Sequence, residues 1–147
     1  MKIESLALYV TLLKKDFVNF CMKRIKEYDI SFSQLFIIIC VGKKEGISPK
    51  EVSNILKIDQ GQLNRSLNKL IDNEILIQKK NKNDARANIL SLSDKGKDIF
   101  EESHNLFYEW DKEILKDIDK ETYNELMLFL NKLTLKIYDK KENKESE

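Results

Sequence analysis

Side chains suited to reading DNA bases are concentrated in one short stretch of this chain. It contains Gln62, Asn64, Arg65, Asn68 and Lys69. Arginine can donate two parallel hydrogen bonds to guanine, and glutamine or asparagine can pair twice with adenine, because their polar atoms match the spacing on a base edge. The same side chains also suit an ordinary solvated helix, so their meaning depends on the elements around them.

The sequence predicts a helix that would present these side chains together. Asp59 can cap a helix that runs from Gln60 to about Asn73. Its apolar residues recur every three or four positions and form a single stripe, which consists of Leu63, Leu67, Leu70 and Ile71. Because that stripe faces inward, the opposite face is exposed, and it is expected to carry Gln62, Arg65, Asn68 and Lys69.

A shorter helix with a strong start signal precedes this one. Ser48 can cap it, Pro49 suits its first turn, and Glu51, three residues after the cap, can bond back to the cap. The helix is predicted to close near Lys57, and a short turn leads to Asp59. Two short helices joined by such a turn are typical of a helix-turn-helix.

A β-hairpin with a basic tip is predicted next. One strand begins at Ile75–Ile77, residues 81–84 are rich in turn formers, and a return strand starts at Ile89. The basic residues of the hairpin are Lys79, Lys80, Lys82 and Arg86. Such a tip can contact phosphates or enter a minor groove. The predicted fold class is therefore mainly α with a small β-wing, a winged helix-turn-helix.

One acidic residue stands out within this hairpin. Asp84 lies two residues before Arg86. That offset allows a charge-assisted hydrogen bond that would orient the guanidinium, although Asp84 could equally be an ordinary turn residue.

The ordered set of motifs resembles the MarR (multiple antibiotic resistance regulator) family. The match runs from roughly Ser31 to Gly96 and consists of Ser33-Gln34, Ser48-Pro49-Lys50-Glu51-Val52, Leu56-Lys57-Ile58-Asp59, Leu63-Asn64-Arg65 with Lys69-Leu70, Asp84-Ala85-Arg86 and Leu92-Ser93-Asp94-Lys95-Gly96. Glu74 departs from the family pattern, which usually has Gly between the recognition helix and the strand. Gln62 and Asn64 stand where Thr or Ser is commoner, so the operator sequence cannot be transferred.

The resemblance implies a homodimeric transcription factor that binds double-stranded DNA at a pseudo-palindromic operator. It implies that Arg86 enters the minor groove and that Asp84 helps to hold it. It also implies a pocket for a small aromatic or hydrophobic effector between the dimer helices and the winged module. The candidates for its lining, by residue type alone, are Tyr9, Leu13, Phe36 and Phe107.

Long amphipathic helices are predicted on both sides of the winged region. The N-terminal helix is expected from about Ile3 to Tyr28, and two more follow Ser93 and Asp119. Their apolar surface exceeds what a 147-residue monomer can easily cover, which favours a homodimer. We assign residues 1–30 to an N-terminal dimerisation helix, 31–92 to the winged helix-turn-helix, 93–138 to C-terminal dimerisation helices and 139–147 to a polar tail, within one compact domain.

Positive charge is concentrated in the predicted DNA-binding region. Between Lys57 and Asn88 there are seven Lys or Arg against four Asp or Glu, a local charge of +3 in a chain whose formal charge is +1. The modest overall charge leaves open a second reading, in which the winged helix is a protein-protein interaction module without specific DNA binding.

Composition argues against several other classes of protein. The sequence has no nucleophile with a base at readable spacing, no phosphate-binding Gly loop and no metal-ligand cluster, so we predict no catalytic residues, no metal and no cofactor. The longest apolar run, residues 35–41, is too short for a membrane span, and no signal-peptide pattern is evident. The cytoplasm is therefore the expected compartment. Cys21 and Cys40 are expected to be buried packing residues, and His104 a surface residue.

From these features the sequence predicts a homodimeric, sequence-specific DNA-binding transcriptional regulator that acts as a ligand-responsive repressor.

Overall fold

The computed structural model describes residue 2 and residues 4–142. Within them the chain forms six α-helices, a 3-10 turn at Lys26–Tyr28 and one two-stranded antiparallel sheet. The elements are α1 (Leu6–Arg24), α2 (Phe32–Lys43), α3 (Pro49–Leu56), α4 (Gln60–Asp72), β1 (Leu76–Lys80), β2 (Asn88–Leu92), α5 (Asp94–Ile114) and α6 (Lys120–Glu142). The predicted fold class, mainly α with a small β-wing, is confirmed.

The chain divides into two compact units, Met1–Trp110 and Asp111–Glu147. The first unit holds α1 to α4, the sheet and most of α5, and the second holds the end of α5 and α6. Among the residues that the structure describes, no helix is long and apolar enough to cross a bilayer. All the side chains predicted to contact DNA belong to the first unit.

Helix α2 lies at the centre of the first unit's core. Leu35, Ile37 and Val41 are at most 1% exposed, because apolar residues occupy every side of this helix and its neighbours must surround it. The sequence Ser31-Phe32-Ser33-Gln34 has the capping-box pattern, and in the structure it forms that box at the start of the helix. The hydroxyl of Ser31 accepts the N–H of Gln34 at 3.2 Å, and the Gln34 side chain accepts the N–H of Ser31 at 2.9 Å. These bonds also satisfy Gln34, which is buried.

Side-chain caps define both helices of the helix-turn-helix. The hydroxyl of Ser48 accepts the N–H of Glu51 at 3.2 Å, and the Glu51 carboxylate accepts the N–H of Ser48 at 2.9 Å. Helix α3 ends where Lys57 takes a left-handed conformation, with φ of 54°. Asp59 then caps α4 by accepting the N–H of Gln62 at 3.0 Å. The predicted start and end signals of this motif are confirmed.

The wing sheet is hydrogen-bonded to the start of the helix-turn-helix. Strands β1 and β2 pair in a register that sets Leu76 opposite Leu92. On the other side of β2, the N–H of Leu90 donates to the Ile47 carbonyl at 2.8 Å, and the Leu90 carbonyl accepts the N–H of Gly46 at 3.0 Å. The segment before α3 is therefore joined to β2 by a single β-bridge at Ile47.

The turn from α4 into the wing is made without glycine. Glu74, which departs from the MarR pattern here, adopts φ of 58° in the left-handed region. The N–H of Ile75 donates to the Leu70 carbonyl at 2.9 Å, and the hydroxyl of Ser93 donates to the Glu74 carbonyl at 2.6 Å. A left-handed conformation costs an L-residue about 1–2 kcal/mol, so these bonds and the packing around them must hold it.

The ends of two helices differ from the prediction. Helix α1 stops at Arg24 rather than near Tyr28, because Ile25 leaves the helical region and the chain tightens into the 3-10 turn, which ends at Asp29 with φ of 50°. The predicted start at Ile3 lies outside the described residues. Helix α6 continues to Glu142, into the segment assigned to a polar tail, and residues 143–147 lie outside the described part of the chain.

Replacing Glu74 with Gly should raise the free energy of unfolding by about 0.5–1 kcal/mol. Gly adopts positive φ without steric cost, and the greater entropy of its unfolded chain offsets only part of that gain. Denaturant unfolding measures the change. Glu74→Ala is the control, because it removes the carboxylate but keeps Cβ. An equal gain in both variants would mean that charge, not backbone strain, sets the effect.

The capping box at Ser48 should make stability depend on pH in acid. Hydrogen bonds from the Lys44 ammonium and from the N–H and hydroxyl of Ser48 lower the pKa of Glu51 from its ordinary 4.5 to about 2. Because this folded-state pKa is depressed, the contribution is present above the unfolded pKa and is lost as pH falls from about 4.5 towards 2.

Glu51→Gln, which cannot titrate, should therefore show a flatter dependence of Tm on pH than the wild type over that window. Thermal unfolding at a series of pH values measures it. Glu45→Gln is a matched change on the neighbouring loop, and we expect it to leave the wild-type profile unchanged. A profile for Glu51→Gln that parallels the wild type would contradict this account.

Candidate nucleic-acid interface

The outer ridge of α4 carries three of the predicted base-reading side chains. Leu63 and Leu70 are fully buried and hold the helix against the core. Arg65, Asn68 and Lys69 project from the opposite side, and all three are exposed. The rotation of the helix about its axis is therefore set by its apolar stripe, as the sequence predicted.

Gln62 and Asn64 lie towards the two edges of the exposed face of α4, and Gln62 is only about 20° from Lys69 around the helix axis. Successive helical residues are rotated by about 100°, so each is offset by about that angle from buried Leu63, in opposite directions. Both side chains are exposed. Gln62, together with Ser66, also lines a cavity beside the helix. Gln62 is therefore exposed, as the sequence predicted, and it also lies at the rim of a cavity.

The guanidinium of Arg65 makes no ion pair or hydrogen bond with another described residue. It extends back along the helix towards Gly61, and its Nη1 atom is 3.6 Å from the point that a Cβ at residue 61 would occupy. An exposed arginine without an acidic partner keeps all its donors available for a ligand outside the chain.

The tip of the wing is folded by two side-chain-to-backbone hydrogen bonds. Asn81 accepts the N–H of Asn83 at 3.0 Å, and Asp84 accepts the N–H of Arg86 at 3.0 Å. The Asp84 carbonyl also accepts the N–H of Ala87 at 3.0 Å. Asp84 thus holds the main chain at Arg86, whereas the expected bond to the guanidinium is not formed among the described residues. The sequence predicted a turn over residues 81–84 but did not single out this hydrogen bond of Asn81. An Asn side chain that bonds to the backbone two residues further on is a known turn signal.

The cationic side chains of the wing are all exposed. They are Lys79, Lys80, Lys82 and Arg86. Two of the four acids in this region, Asp59 and Asp84, direct their carboxylates to main-chain N–H groups of caps and turns. All four acids are exposed as well, so the surface of the winged region keeps a net excess of positive charge rather than only positive charge, which still suits phosphate contacts.

Two adjoining cavities share Lys14, Phe32 and Phe36; the first lies beside α4, and the second lies between α1, α2 and α5. One of about 360 Å³ has mainly apolar walls and is lined by Lys14, Phe32, Ser33, Phe36, Ile37, Leu56, Ile58, Gln62 and Ser66. A second of about 350 Å³ is lined by Val10, Leu13, Lys14, Phe17, Phe32, Phe36 and Trp110. Of the lining residues proposed by type, Leu13 and Phe36 belong to these sets, and Tyr9 and Phe107 do not. Among the described residues that line them, Lys14 is the one charged group.

An aromatic cluster borders the second cavity and joins α1 to α5 within the first unit. The indole N–H of Trp110 donates to the Asp16 carboxylate at 2.9 Å, and its ring lies 5.1 Å from the ring of Phe17. Arg24 forms an ion pair with Glu109 in the same region. Trp110 is the only tryptophan of the chain, so the protein's tryptophan fluorescence reports on the lining of the second cavity.

The cysteines and the histidine are structural. Cys21 and Cys40 are buried, and burial raises the pKa of the Cys21 thiol to about 11 and that of the Cys40 thiol in the same direction. Both thiols are therefore protonated near neutral pH and poor nucleophiles. The Nδ1 atom of His104 lies 2.9 Å from the Phe100 carbonyl. No group of three or more metal-ligating side chains occurs among the described residues.

Large apolar side chains remain exposed in both units. Those on α1 are 43–57% exposed and comprise Leu6, Leu8, Tyr9, Val10, Leu12 and Leu13. On α6, the side chains that are more than half exposed are Leu128, Phe129, Leu135 and Ile137. Contiguous exposed apolar patches of this kind mark interaction surfaces.

The sequence matches known regulators over most of its length. Residues 20–103 match the family model described as transcriptional regulator SarA/Rot. The chain is 34% identical over 130 residues to the HTH-type transcriptional regulator BilQ of Clostridium symbiosum, an alignment that covers 88% of this chain and 90% of that protein.

Solved structures share the fold. A MarR transcriptional regulator from Methanosarcina mazei superposes with a TM-score of 0.82 at 22% identity, covering 95% of this chain and 93% of that one. Streptococcus pneumoniae FabT, solved in complex with DNA, superposes with a TM-score of 0.76 at 24% identity, covering 90% and 92%. At these identities the likeness concerns the fold alone.

The wing tip should lose order when the Asp84 acceptor is removed. In Asp84→Ala, the backbone order parameter of Arg86 should fall towards values below about 0.6, because nothing then holds its N–H, and ¹⁵N relaxation measures it. Asp84→Asn keeps an acceptor oxygen in the same place, and we expect it to retain the wild-type value. If Arg86 is equally ordered in all three proteins, the turn does not depend on this bond.

Proposed function

This chain belongs to the SarA/Rot family of MarR-like winged-helix transcriptional regulators, and from that premise we propose that it is a homodimeric, sequence-specific DNA-binding repressor controlled by a small ligand. Family membership makes it a transcriptional regulator rather than an enzyme. We place it in the cytoplasm, where its DNA target would be.

The observation that best supports DNA binding is the pair of exposed arginines in the winged region. Arg65 stands on the outer ridge of α4 without a partner among the residues that the structure describes, and Arg86 stands on a tip whose backbone is already folded. We assign Arg65 to the major groove, where it can bond twice to guanine, and Arg86 to the minor groove. The solved structure of FabT contains DNA, which accords with this use of the fold.

The remaining site residues fall into two groups. Asn68 and Lys69 share the ridge with Arg65, and Gln62 and Asn64 on its flanks would contact bases or phosphates at the groove edges. Lys80 and Lys82 would contact phosphates beside the wing, and Asp84 would shape the turn that carries Arg86. Phosphate contacts set affinity and its salt dependence, whereas base contacts set sequence preference.

A homodimer accounts for the exposed apolar side chains of α1 and α6. A second copy would cover them by a twofold interface, in which the same surface of each chain takes part. Two recognition helices about 34–36 Å apart would then reach successive major grooves of a pseudo-palindromic operator.

The two adjoining cavities, one of which lies beside α4, are the proposed site of ligand control. Their walls are largely apolar and aromatic, and Lys14 provides a cation at one side. We propose that a small aromatic or hydrophobic molecule, with an anionic group opposite Lys14, binds there. Because Gln62 and Ser66 of α4 form part of the lining, occupancy would change the separation or freedom of the two winged modules and weaken operator binding.

Fluorescence anisotropy of a labelled duplex from the upstream region of its own gene tests the proposal. We expect tight, salt-sensitive binding by two chains per duplex, with the mass of the complex measured by sedimentation. Arg65→Ala should cost about 1–3 kcal/mol on the preferred sequence and relax specificity there. Lys82→Ala should instead weaken all sequences alike and reduce the salt slope by about 1.

Lys112→Ala, a matched charge removal on α5 outside the winged region, is the control and should bind like the wild type. If the protein does not bind this duplex, its preferred sequence should be sought by selection from a pool of random DNA duplexes. If folded protein also fails there, the reading as a protein-protein interaction module replaces the DNA-binding one. A panel of aromatic carboxylic acids, read by release of DNA and by Trp110 fluorescence, tests ligand control on the same samples.

A further inference from the structure

Three of the four glycines in this chain are explained by the fold itself. A Cβ at Gly42 would lie 2.3 Å from the Phe100 ring, and one at Gly96 would lie 2.3 Å from the Ile75 carbonyl oxygen, so neither position has room for a side chain. Gly46 adopts φ of 77°. The remaining glycine is Gly61, at the second position of α4.

Among the described residues, neither a positive φ nor a severe clash requires glycine at residue 61. The backbone of Gly61 is helical and does not have positive φ. A Cβ there would meet the capping Asp59 Oδ1 atom at 3.2 Å, a tight contact that requires this oxygen to move by a few tenths of an ångström, and Arg65 Nη1 at an ordinary 3.6 Å. Glycine is nonetheless a poor helix former compared with alanine. The fold therefore accepts Gly61, which weakens the helix, although neither backbone geometry nor a severe clash calls for glycine there.

Gly61 lies on the ridge that also carries Arg65. The two residues are four apart, so they are separated by about 40° around the helix axis and stack one turn above the other. Both are exposed, and the Arg65 guanidinium lies over the space that a side chain at residue 61 would fill. Any macromolecule that contacts Arg65 must therefore also approach Gly61.

We propose that Gly61 is a positioning residue for Arg65, and that it allows the DNA backbone to approach the first turn of α4 more closely than any side chain would permit. Close approach to a ligand is one of the uses for which glycine is retained despite its conformational cost. This inference rests on the proposed function, because it takes DNA as the ligand of the ridge. It adds a residue that the sequence patterns did not single out.

A methyl group at this point should have two consequences. It would hold the DNA away from the first turn of α4, which weakens contacts to all sequences. It would also move the helix out of the groove, so that Arg65 reaches its base less well and discrimination between sequences falls. A change that merely disturbed folding would lower specific and non-specific binding by the same factor.

The experiment compares Gly61→Ala with the wild type in DNA affinity, specificity and thermal stability. Affinity for the selected operator should fall roughly ten-fold, since overpacking at a close contact is costly, and it should fall more than affinity for an unrelated duplex. The Tm should be unchanged or higher, because alanine favours the helix. Asn54→Ala, at an exposed position of α3, is the control for helix propensity and should leave DNA binding unchanged.

A double-mutant cycle tests whether Gly61 acts through Arg65. In the Arg65→Ala background, Gly61→Ala should cause a smaller loss of specificity than in the wild type, because the side chain that it positions is already gone. Strictly additive losses of specificity would overturn the positioning role.

A further variant removes the contact with Asp59 Oδ1, which could by itself explain a loss of DNA binding in Gly61→Ala. In Asp59→Ser/Gly61→Ala the shorter cap relieves the contact at Asp59 Oδ1 while retaining a capping hydroxyl. We expect this protein still to bind more weakly than Asp59→Ser alone. If the two bind equally, the loss came from the cap and the inference is wrong, as it also is if Gly61→Ala binds like the wild type. A wild-type protein that binds no DNA would instead refute the proposed function.

Discussion

Burial of the leucine stripe on α4 determines which side chains the protein presents on its winged surface. Leu63, Leu67 and Leu70 are at most 2% exposed, and full burial of one such side chain stabilises a fold by about 1.5–3 kcal/mol. Rotating the helix by one residue would expose them, whereas an exposed hydrogen bond contributes only about 0.5–1.5 kcal/mol. Hydrophobic burial therefore outweighs any polar preference, and Arg65 faces outward as a consequence.

Both ends of α4 carry a local cost that this burial offsets. Gly61, in the first turn, is a poorer helix former than alanine. At the other end Glu74 sits in a left-handed conformation that Gly would adopt without strain. Hydrogen bonds donated by the Ser93 hydroxyl and the Ile75 N–H hold this left-handed conformation. Ser93 lies at the start of α5, and Ile75 lies at the start of the wing. The ends of the recognition helix thus depend on tertiary contacts more than on their own sequence.

The wing and the recognition helix are presented by one hydrogen-bonded framework. Leu90 of β2 bonds to the segment before α3, and the Ser93 hydroxyl donates to the Ile75 carbonyl at 3.0 Å. Gly96 allows α5 to pass close to that same carbonyl, where a Cβ would be only 2.3 Å from the oxygen. Arg65 and Arg86 are therefore carried by elements that share main-chain bonds, although they are far apart in sequence.

The sequence by itself determined the order and type of the elements of the winged region, because each start, end and turn there has a local cause. The capping boxes at Ser31 and Ser48, the Asp59 cap and the spacing of the α4 leucines all act over three or four residues, and the structure confirms each. The local signals also predicted that Arg65, Asn68 and Lys69 would be exposed. Their contact with DNA remains a prediction.

Only the tertiary structure decided the details that depend on distant residues. It placed Gln62 at a cavity formed with α1 and α2, allowed Glu74 to replace Gly, and turned Asp84 onto the main chain instead of the Arg86 guanidinium. It also showed that packing or backbone geometry explains three of the four glycines but does not explain Gly61. The reason is physical: a cap or an apolar stripe is set by neighbours along the chain, whereas a cavity, a strained turn or an unfilled space is set by what packs against it.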